Sequence, residues 1–385
     1  MLKSSKSHKK VLVVFGTRPE AIKLAPLIFK LKADPEFKTF VCSTGQHKSM
    51  LNEVLNDFEL VPDFDLMIMR ENQSLSGLLA SIISKVGELI DELKPDLVLV
   101  HGDTSTTLAA SIAAFQTKTK IAHIEAGLRS GSKVNPFPEE MNRCLVSKMA
   151  DLHFAPTKQN KDNLLAEGIP KNSIHVTGNT VIDALMYILG KTEKDTVYNA
   201  RFNENFTFVD NTKKTIIITC HRRESFGQSM VNICNAINQL CAKFPSINFV
   251  FPVHLNPNIQ NLVNDILIKR ANLFLITPLG YQHFATLLKE SFCVLTDSGG
   301  IQEEAPALGK PVVVMRENTE RWEGVDAGTL ILAGTDTDNI VLIVEKLVGD
   351  EQFYNQSSLA KNPYGYGNAS NIILNKLKGF FSHGG

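Results

Sequence analysis

The chain lacks the patterns that mark a metal site, a disulfide framework or a membrane span. Its six cysteines include no C-x-x-C pair and its ten histidines no H-E-x-x-H pattern, so we predict no metal ion and reduced, buried thiols. No uninterrupted apolar run is long enough to cross a bilayer. The basic segment from Lys3 to Lys10 precedes an apolar run too short for a signal peptide. We therefore expect a soluble, cytoplasmic protein.

An excess of charge of one sign is also missing. Lys and Arg total 40, as do Asp and Glu, so nothing in the balance points to nucleic acid or an anionic membrane as a partner. The turn after the first predicted strand has the glycine pattern of neither a dinucleotide-binding fingerprint nor a Walker A loop. We therefore predict that the protein uses no cofactor.

What the chain does contain is an alternation of short β-branched runs with longer amphipathic segments. This alternation predicts an α/β fold with parallel sheets covered on both faces. Apolar residues at helical spacing predict helices over Leu75–Leu93 and Ile259–Ile268. Strands are predicted to begin near Val11, Thr39, Asp96, Lys120, Leu152, Ile174, Thr215, Asn248, Leu273, Cys293, Pro311 and Thr329.

The 385 residues, 43% of them hydrophobic, suffice for two domains. A polar stretch from Lys191 to Lys214 interrupts the alternation and predicts the junction. We expect two Rossmann-like domains facing across a cleft, the first over 1–190 and the second over 191–364. A glycine- and proline-rich break at 362–367 precedes a last helix that begins near Asn368 or Ser370. We expect this helix, within 365–385, to pack back on the first domain.

The first predicted strand runs into Gly16, Thr17 and Arg18. A glycine there permits close backbone approach, and the N-terminus of the following helix favours an anion. Arg18 can donate two parallel hydrogen bonds to a phosphate, and Lys23 lies little more than a turn further along. An ordinary strand–helix turn with solvated charges is an equally good interpretation of these residues alone.

Acidic side chains follow two further strands and begin another helix. Asp103 and Glu125 follow neighbouring strands, and Glu139, Glu140 and Arg143 lie at the start of a helix. Each acid has a simpler interpretation, as a helix cap or as a complement to the helix dipole. Ligands of open α/β sheets bind beyond the carboxyl ends of the strands. We therefore expect the acids to converge, and clustered carboxylates with raised pKa values suit proton transfer.

In the second half, the His-Arg-Arg-Glu segment at 221–224 follows a predicted strand. A histidine beside two arginines suits a core poorly because its charged neighbours would be unpaired. A surface loop is the simple interpretation, and a diphosphate clamp is favoured.

The turn Ser298-Gly299-Gly300 follows a later strand and opens a helix. Its glycines let backbone N–H groups approach a phosphate at the helix start. Glu304, about one turn further, is spaced to accept hydrogen bonds from ribose hydroxyls, and Arg316 and Arg321 add positive charge. Glycine-rich turns of this kind also occur in many α/β folds without this function.

Taken in chain order, these segments resemble the non-hydrolysing UDP-N-acetylglucosamine 2-epimerase family, from about Lys10 to Phe380. The resemblance rests on F-G-T-R-P-E-A-I-K at 15–23, H-G-D-T at 101–104, H-I-E-A-G-L-R at 123–129, P-E-E-M-N-R at 138–143, T-G-N-T-V-I-D at 177–183, H-R-R-E-S-F-G at 221–227, P-V-H-L-N-P-N at 252–258, D-S-G-G-I-Q-E-E at 297–304 and K-P-V-V-V-M-R at 310–316. It implies the two-domain GT-B-type architecture of many nucleotide-sugar glycosyltransferases, a homodimer, and a cleft that closes over substrate.

The resemblance also implies which residues form the site. The catalytic cleft would contain Arg18, Lys23, Asp103, Glu125, Glu139, Arg143 and His221. The uridine diphosphate would be held by Ser298, Gly299, Gly300, Glu304 and Arg321, with Phe284 close to the uracil. The family interconverts UDP-GlcNAc and UDP-ManNAc for cell-envelope polysaccharide synthesis.

The implied chemistry has a physical reason. The C2 hydrogen of the sugar is not activated by a carbonyl group, so direct deprotonation would be very slow. Anti elimination of UDP makes that hydrogen acidic and gives 2-acetamidoglucal, and re-addition of UDP completes the inversion. The scheme needs cations on the diphosphate, acids near both faces of the sugar, and exclusion of water.

Some bacterial members are activated by a second UDP-GlcNAc, bound by residues that match Gln46, Arg222 and His254. Ser49 and Asn72 stand where those members carry a glutamine and an arginine. These two departures argue against activation by substrate in this chain.

Other activities fit parts of the pattern. They are a glycosyltransferase that uses a UDP-sugar, a hydrolysing epimerase that releases ManNAc and UDP, an epimerase of a related UDP-diacetamido sugar, and a non-catalytic sugar-nucleotide sensor. The residues alone do not assign a carboxylate to either face of the sugar.

Overall fold

The computed structural model describes residues 8–45, 48–69, 73–207, 212–220 and 227–382, without the side chains of 48–50 and 258. The chain forms two compact units. The first comprises Met1–Ala184 and Tyr364–Gly385, and the second comprises Leu185–Pro363. Each unit contains one parallel sheet.

The first unit alternates strands with helices. Its strands are β1 (Lys9–Phe15), β2 (Phe37–Ser43), β3 (Phe64–Asp65), β4 (Leu97–His101), β5 (Lys120–Ile124), β6 (Leu152–Ala155) and β7 (Ile174–Val176). Its helices are α1 (Arg18–Ala33), α2 (Lys48–Asp57), α3 (Leu75–Leu93), α4 (Ser105–Gln116), α5 (Glu139–Met149), α6 (Lys158–Ala166) and α7 (Thr180–Thr192), the last of which continues past the division between the units.

The second unit repeats this alternation. Its strands are β8 (Thr215–Thr219), β9 (Asn248–Pro252), β10 (Leu273–Ile276), β11 (Cys293–Thr296), β12 (Val312–Val314) and β13 (Leu330–Leu332). Its helices are α8 (Thr196–Asn205), α9 (Gln228–Lys243), α10 (Pro257–Ile266), α11 (Tyr281–Glu290), α12 (Gly299–Ala307), α13 (Trp322–Asp326), α14 (Thr337–Gly349) and α15 (Glu351–Ser358). The chain then returns to the first unit with α16 (Ala369–Ser382).

Both sheets are doubly wound. The first has the strand order β3-β2-β1-β4-β5-β6-β7 and the second β10-β9-β8-β11-β12-β13. The direction of winding reverses between β1 and β4 and between β8 and β11. Such switch points leave a crevice at the carboxyl ends of the two central strands, where α/β proteins bind ligands.

The central strands are buried on both faces, which explains their uninterrupted apolar sequences. Ile216 and Ile218 of β8 pack into one apolar cluster with α9, whereas Ile217 packs into another with α11 and α12. This alternation follows from the two-residue period of a strand. The predicted α/β class with two parallel sheets is therefore confirmed.

Each predicted strand start lies within two residues of a strand start in the structure. The predicted helix over Leu75–Leu93 is α3, and the one over Ile259–Ile268 begins and ends two residues earlier as α10. The prediction missed β3, which has only two residues and no apolar run. A strand this short leaves no detectable period in the sequence.

The last helix packs on the first unit, as predicted. It begins at Ala369, and the carboxylate of Asp183 accepts hydrogen bonds from the backbone N–H groups of Ala369 and Ser370, at 3.0 and 2.8 Å. The Lys378 ammonium lies 2.6 Å from the carboxylate of Asp34 at the end of α1. Capping and ion pairing thus fasten α16 at both of its ends.

None of the six cysteines forms a disulfide, and all except Cys144 are buried. Cys144 lies half-buried on α5. Within the described ranges, no helix combines the length and the apolar character needed to cross a bilayer.

Candidate active site

At the switch point of the first sheet, Glu20 joins the turn after β1 to the helix after β4. One carboxylate oxygen accepts hydrogen bonds from the Gly16 and Thr17 N–H groups at 3.0 and 2.8 Å. The other accepts from the hydroxyls of Thr104 and Thr107 at 2.7 and 3.1 Å. Burial raises the pKa of Glu20, and the hydrogen bonds from Thr104, Gly16 and Thr17 oppose the rise.

The sequence interpretation did not assign Glu20 a place in the site. Its signal was the T-x-x-E spacing of a capping box, formed with Thr17 at the start of α1. The same spacing holds for many helices that have no role in a site. Only the approach of β4 to β1 brings Thr104 and Thr107 to the second oxygen.

Asp103, in the turn after β4, pairs with Arg143 of α5. Its Oδ2 accepts from Arg143 Nη2 at 2.5 Å and from Nε at 3.1 Å, while Arg143 Nη1 lies 3.0 Å from the Glu140 carboxylate. Burial raises the pKa of Asp103, and Arg143 acts in the opposite direction. The helix cap considered for Asp103 belongs instead to Thr104, whose side chain accepts from the Thr107 N–H.

Glu125, after β5, is the second acid of this edge. Its Oε2 pairs with the Lys23 ammonium, accepts from the Asn179 amide at 2.9 Å, and lies 3.8 Å from His101 Nε2. The Glu125 side chain is 13% exposed, and its backbone has φ +62°, a conformation that costs a non-glycine residue energy and is common at functional sites.

Two buried histidines, His101 of β4 and His123 of β5, lie beside the same turns. His123 Nε2 lies 2.7 Å from the Gly102 carbonyl oxygen and donates to it in the neutral ring. Burial lowers the pKa of His101 to about 4 and that of His123 to about 3. Both rings are therefore neutral near pH 7, and the turn that carries Asp103 is fixed from the neighbouring strand.

Arg18 and Glu139 behave differently from their neighbours. Both are partly exposed, and neither has a hydrogen-bond or ion-pair partner within the described ranges. Glu139 raises the pKa of Asp103 electrostatically, as a weaker cause than burial. Glu140, by contrast, is buried and accepts from the Ser130 and Gly131 N–H groups. Of the two adjacent acids, only Glu139 is therefore unengaged.

At the second switch point, side chains join the ends of β8 and β11. The hydroxyls of Thr219 and Thr296 are 2.6 Å apart, and the Cys220 thiol donates to the buried Asp297 carboxylate at 3.2 Å. Ser298 then begins α12 without a capping hydrogen bond from its own side chain. Uncapped N–H groups at a helix start are suited to an anion.

Arg321 lies directly against this helix start. A Cβ atom on Gly299 would lie 2.6–2.8 Å from the Arg321 guanidinium, so the guanidinium would have to move to accommodate a side chain there. The guanidinium is also held by Glu303 at 2.8 Å and by Glu320 at 3.0 Å. The second switch point thus has a fixed cation on a glycine turn.

The remaining nucleotide-site candidates lie nearby in the second unit. The buried Glu304 accepts a hydrogen bond from the Tyr281 hydroxyl at 2.8 Å, and a Cβ on Gly300 would lie 3.9 Å from Glu304 Oε2. Phe284 is half-buried on α11 and packs against the cluster that contains Ile301 of α12. The sequence interpretation had not singled out Tyr281.

Three candidates, Gln46, His221 and Arg222, lie outside the described residues, as do Asn72 and the side chain of Ser49. His254 is exposed after β9, and its Nδ1 accepts from the Asn256 N–H at 3.1 Å. Among the residues that are described, no three His, Cys, Asp or Glu side chains are grouped so that they could hold a metal ion.

Known proteins share both the sequence and this fold. A family model described as UDP-N-acetylglucosamine 2-epimerase matches residues 29–378. The UDP-N-acetylglucosamine 2-epimerase of Yersinia pestis is 49% identical over 369 residues, which cover 96% of this chain and 98% of that protein. The crystal structure of the Neisseria meningitidis UDP-GlcNAc 2-epimerase bound to UDP-GlcNAc has a TM-score of 0.90 at 49% identity, covering 96% of this chain and 99% of that one.

A more distant relative has the same fold. The UDP-GlcNAc 2-epimerase of Methanocaldococcus jannaschii, in complex with UDP-GlcNAc and UDP, is 32% identical with a TM-score of 0.80, covering 96% of this chain and 99% of that one. Two parallel sheets and these neighbours define a GT-B-like α/β protein. The chain belongs to the UDP-N-acetylglucosamine 2-epimerase family, an isomerase family, and the resemblance inferred from its motifs is confirmed.

Proposed function

We propose that this protein reversibly converts UDP-GlcNAc to UDP-ManNAc without hydrolysing it. Membership of the family supports the reaction, since the Neisseria relative binds UDP-GlcNAc and the Methanocaldococcus relative binds UDP-GlcNAc and UDP. The observation that carries the proposal is the pair of carboxylates, Asp103 and Glu125, at the carboxyl ends of β4 and β5. Each is paired with a cation, Arg143 or Lys23.

The reaction begins with loss of UDP. The C1–O bond breaks and its electrons leave with the β-phosphate, while a carboxylate takes the C2 proton. The C2–H electrons form the C1=C2 bond of 2-acetamidoglucal. Re-addition of UDP with proton return to the opposite face gives the epimer. Asp103 suits proton exchange because burial favours its protonated form, whereas Arg143 favours the carboxylate.

The two units have separate roles in this proposal. The first supplies the proton-transfer groups Lys23, Asp103, Glu125 and Glu139, with Arg18 and Arg143 as cations. The second binds the uridine diphosphate through Ser298, Gly299, Gly300, Glu304 and Arg321, with Phe284 near the uracil. His221 keeps the catalytic role that the family resemblance implies. We further propose a cytoplasmic homodimer, which sedimentation of the purified protein and cell fractionation would test.

The decisive experiment is incubation of the purified protein with UDP-GlcNAc alone in heavy water. NMR should show UDP-ManNAc accumulating to an equilibrium mixture, with deuterium at C2 of both sugars. Inversion without C2 deuterium would contradict the elimination, and absence of any new nucleotide sugar would contradict the activity.

The same spectra distinguish the other activities. Release of free ManNAc with UDP would favour a hydrolysing epimerase, and turnover that requires an added acceptor would favour a glycosyltransferase. Faster conversion of a UDP-diacetamido sugar, assayed in parallel, would reassign the substrate within the same chemistry.

A further inference from the structure

The T-G-N-T-V-I-D segment at 177–183 has no role in the function proposed above, yet its asparagine contacts a candidate acid. Asn179 follows β7 and is 3% exposed. Its side-chain amide donates to Glu125 Oε2 at 2.9 Å, although 54 residues separate the two in sequence. Glu125 therefore receives a neutral hydrogen-bond donor in addition to the Lys23 ammonium.

The amide of Asn179 is oriented by its other contacts. Its Oδ1 accepts from the Val181 N–H at 3.0 Å, which leaves the NH₂ group to face Glu125. Its backbone N–H donates to the Tyr364 carbonyl at 2.8 Å. Both ends of the side chain and the main chain are thus fixed, so the donor points in one direction.

The contact with Tyr364 occurs where the chain re-enters the first unit. Gly178, with φ +83°, lies so close that an added Cβ would be 3.0 Å from the Tyr364 carbonyl oxygen. Asp183 then caps α16 through the N–H groups of Ala369 and Ser370. Residues 178–183 and 364–370 therefore form one hydrogen-bonded clamp, which holds Asn179.

We infer that Asn179 is a positioning residue for Glu125: it aims one carboxylate oxygen, and the clamp keeps it in place. This inference rests on the proposed function, in which Glu125 exchanges a proton with the sugar. A lysine ammonium is a mobile point charge and fixes no direction. The short amide of Asn179, bonded at both ends, fixes the carboxylate within the small tolerance that proton transfer requires.

The test is Asn179→Asp, which keeps an acceptor for the Val181 N–H but removes the donor to Glu125. We expect kcat to fall about 10- to 100-fold, the range for a hydrogen bond to a charged group, with little change in KM. Because the lost donor and the adjacent new carboxylate both disfavour the carboxylate form of Glu125, the acid limb of the pH–rate profile should move to higher pH, and the uncharged Asn179→Ser variant isolates the effect of the donor. Asn179→Ser, which can still accept from Val181 but cannot reach Glu125, should behave alike if the first variant does not fold.

The matched control is Asp183→Asn, which weakens the cap of α16 without touching Glu125. It should lower the melting temperature and move the acid limb less than the Asn179 variants do, because the hydrogen bond from Asn179 to Glu125 is retained. Wild-type kcat and an unmoved acid limb in the Asn179 variants, or an equal shift in Asp183→Asn, would overturn the inference. Failure of the wild-type protein to epimerise UDP-GlcNAc would instead remove the proposed function.

Discussion

The two switch points have the same topology but carry different side chains. In the first sheet, the ends of β1, β4 and β5 carry acids that are paired with cations or bonded to the main chain. In the second, β11 leads into a glycine turn that lies against Arg321, and the Arg321 guanidinium pairs with Glu303 and Glu320. The strand order decides where a site lies, and the side chains decide what it can do.

The difference also appears in how each region is held. Around the first switch point, Glu20, His101 and His123 are buried and have shifted pKa values. The free energy of unfolding of the first unit therefore depends on pH. The strands of the second sheet, all of them described, contain no histidine. A test of the comparison therefore substitutes a residue in one unit and measures the effect on both units.

The largest effect is expected from Asp103→Asn. Loss of this proposed proton-transfer group should lower kcat about 10²- to 10⁴-fold, while affinity for UDP changes little because the proposed UDP site, the glycine turn, lies in the other unit. NMR turnover and calorimetric titration with UDP would measure the two quantities. The control is Asp91→Asn, an exposed carboxylate of the same unit, which should leave both unchanged. A loss of UDP affinity as large as the loss of kcat would break the comparison.

Acidification should weaken the contribution that His101 and His123 make to the stability of the first unit, while the raised pKa values of Glu20 and Asp103 act in the opposite direction. The folded pKa of His101 is about 4 and that of His123 about 3, below the unfolded value near 6.5. Below pH 6.5 the unfolded chain thus binds more protons than the folded chain. The contribution of the neutral histidines to the free energy of unfolding is therefore fully present above pH 6.5 and is lost as the pH falls toward 4. His101 alone accounts for about 3 kcal/mol.

Hydrogen exchange in increasing denaturant at pH 7 and pH 4.5, read by mass spectrometry, would measure this loss separately in peptides of each unit. His123→Gln, which can still donate to Gly102, should make the stability of the first unit less dependent on pH. Equal losses in both units would contradict the expected difference.

Gly299→Ala should act on the second region. The new Cβ would force the Arg321 guanidinium away from Glu303, and crowding of this kind costs about 1–3 kcal/mol of unfolding free energy. UDP affinity should fall with it, because the cation leaves the helix start. Gly300→Ala, whose Cβ would meet only Glu304 Oε2 at 3.9 Å, should lose less unfolding free energy and less UDP affinity than Gly299→Ala. A greater loss in the Gly300 variant would show that Arg321 does not set this geometry.

The smallest effect is expected from Tyr281→Phe, which removes the hydroxyl that donates to Glu304. A single lost hydrogen bond is worth about 1 kcal/mol, so KM should rise about fivefold with kcat unchanged. Tyr354→Phe, which removes a hydroxyl bonded to the Phe292 carbonyl, is the matched control for the same unit. A changed kcat in Tyr281→Phe alone would tie this residue to the chemical step.

Some residues of the candidate site could be predicted from the sequence and others could not. Asp103 and Glu125 were singled out as candidates because they follow apolar strands, a pattern within a few residues of sequence. Glu20 and Asn179 were not assigned, because their partners lie 84 and 54 residues away. Glu139 and Glu140 stand side by side in one helical turn, and sequence alone does not tell which of them faces the protein interior.

The sequence by itself determined two parallel sheets, the turns at their strand ends and the family, because apolar period, glycine and local charge act over a few residues. Only the tertiary structure decided which acid meets which cation. Lys23 and Glu125 lie 102 residues apart, and the order of the strands, not their sequences, brings the ends of distant segments to one edge.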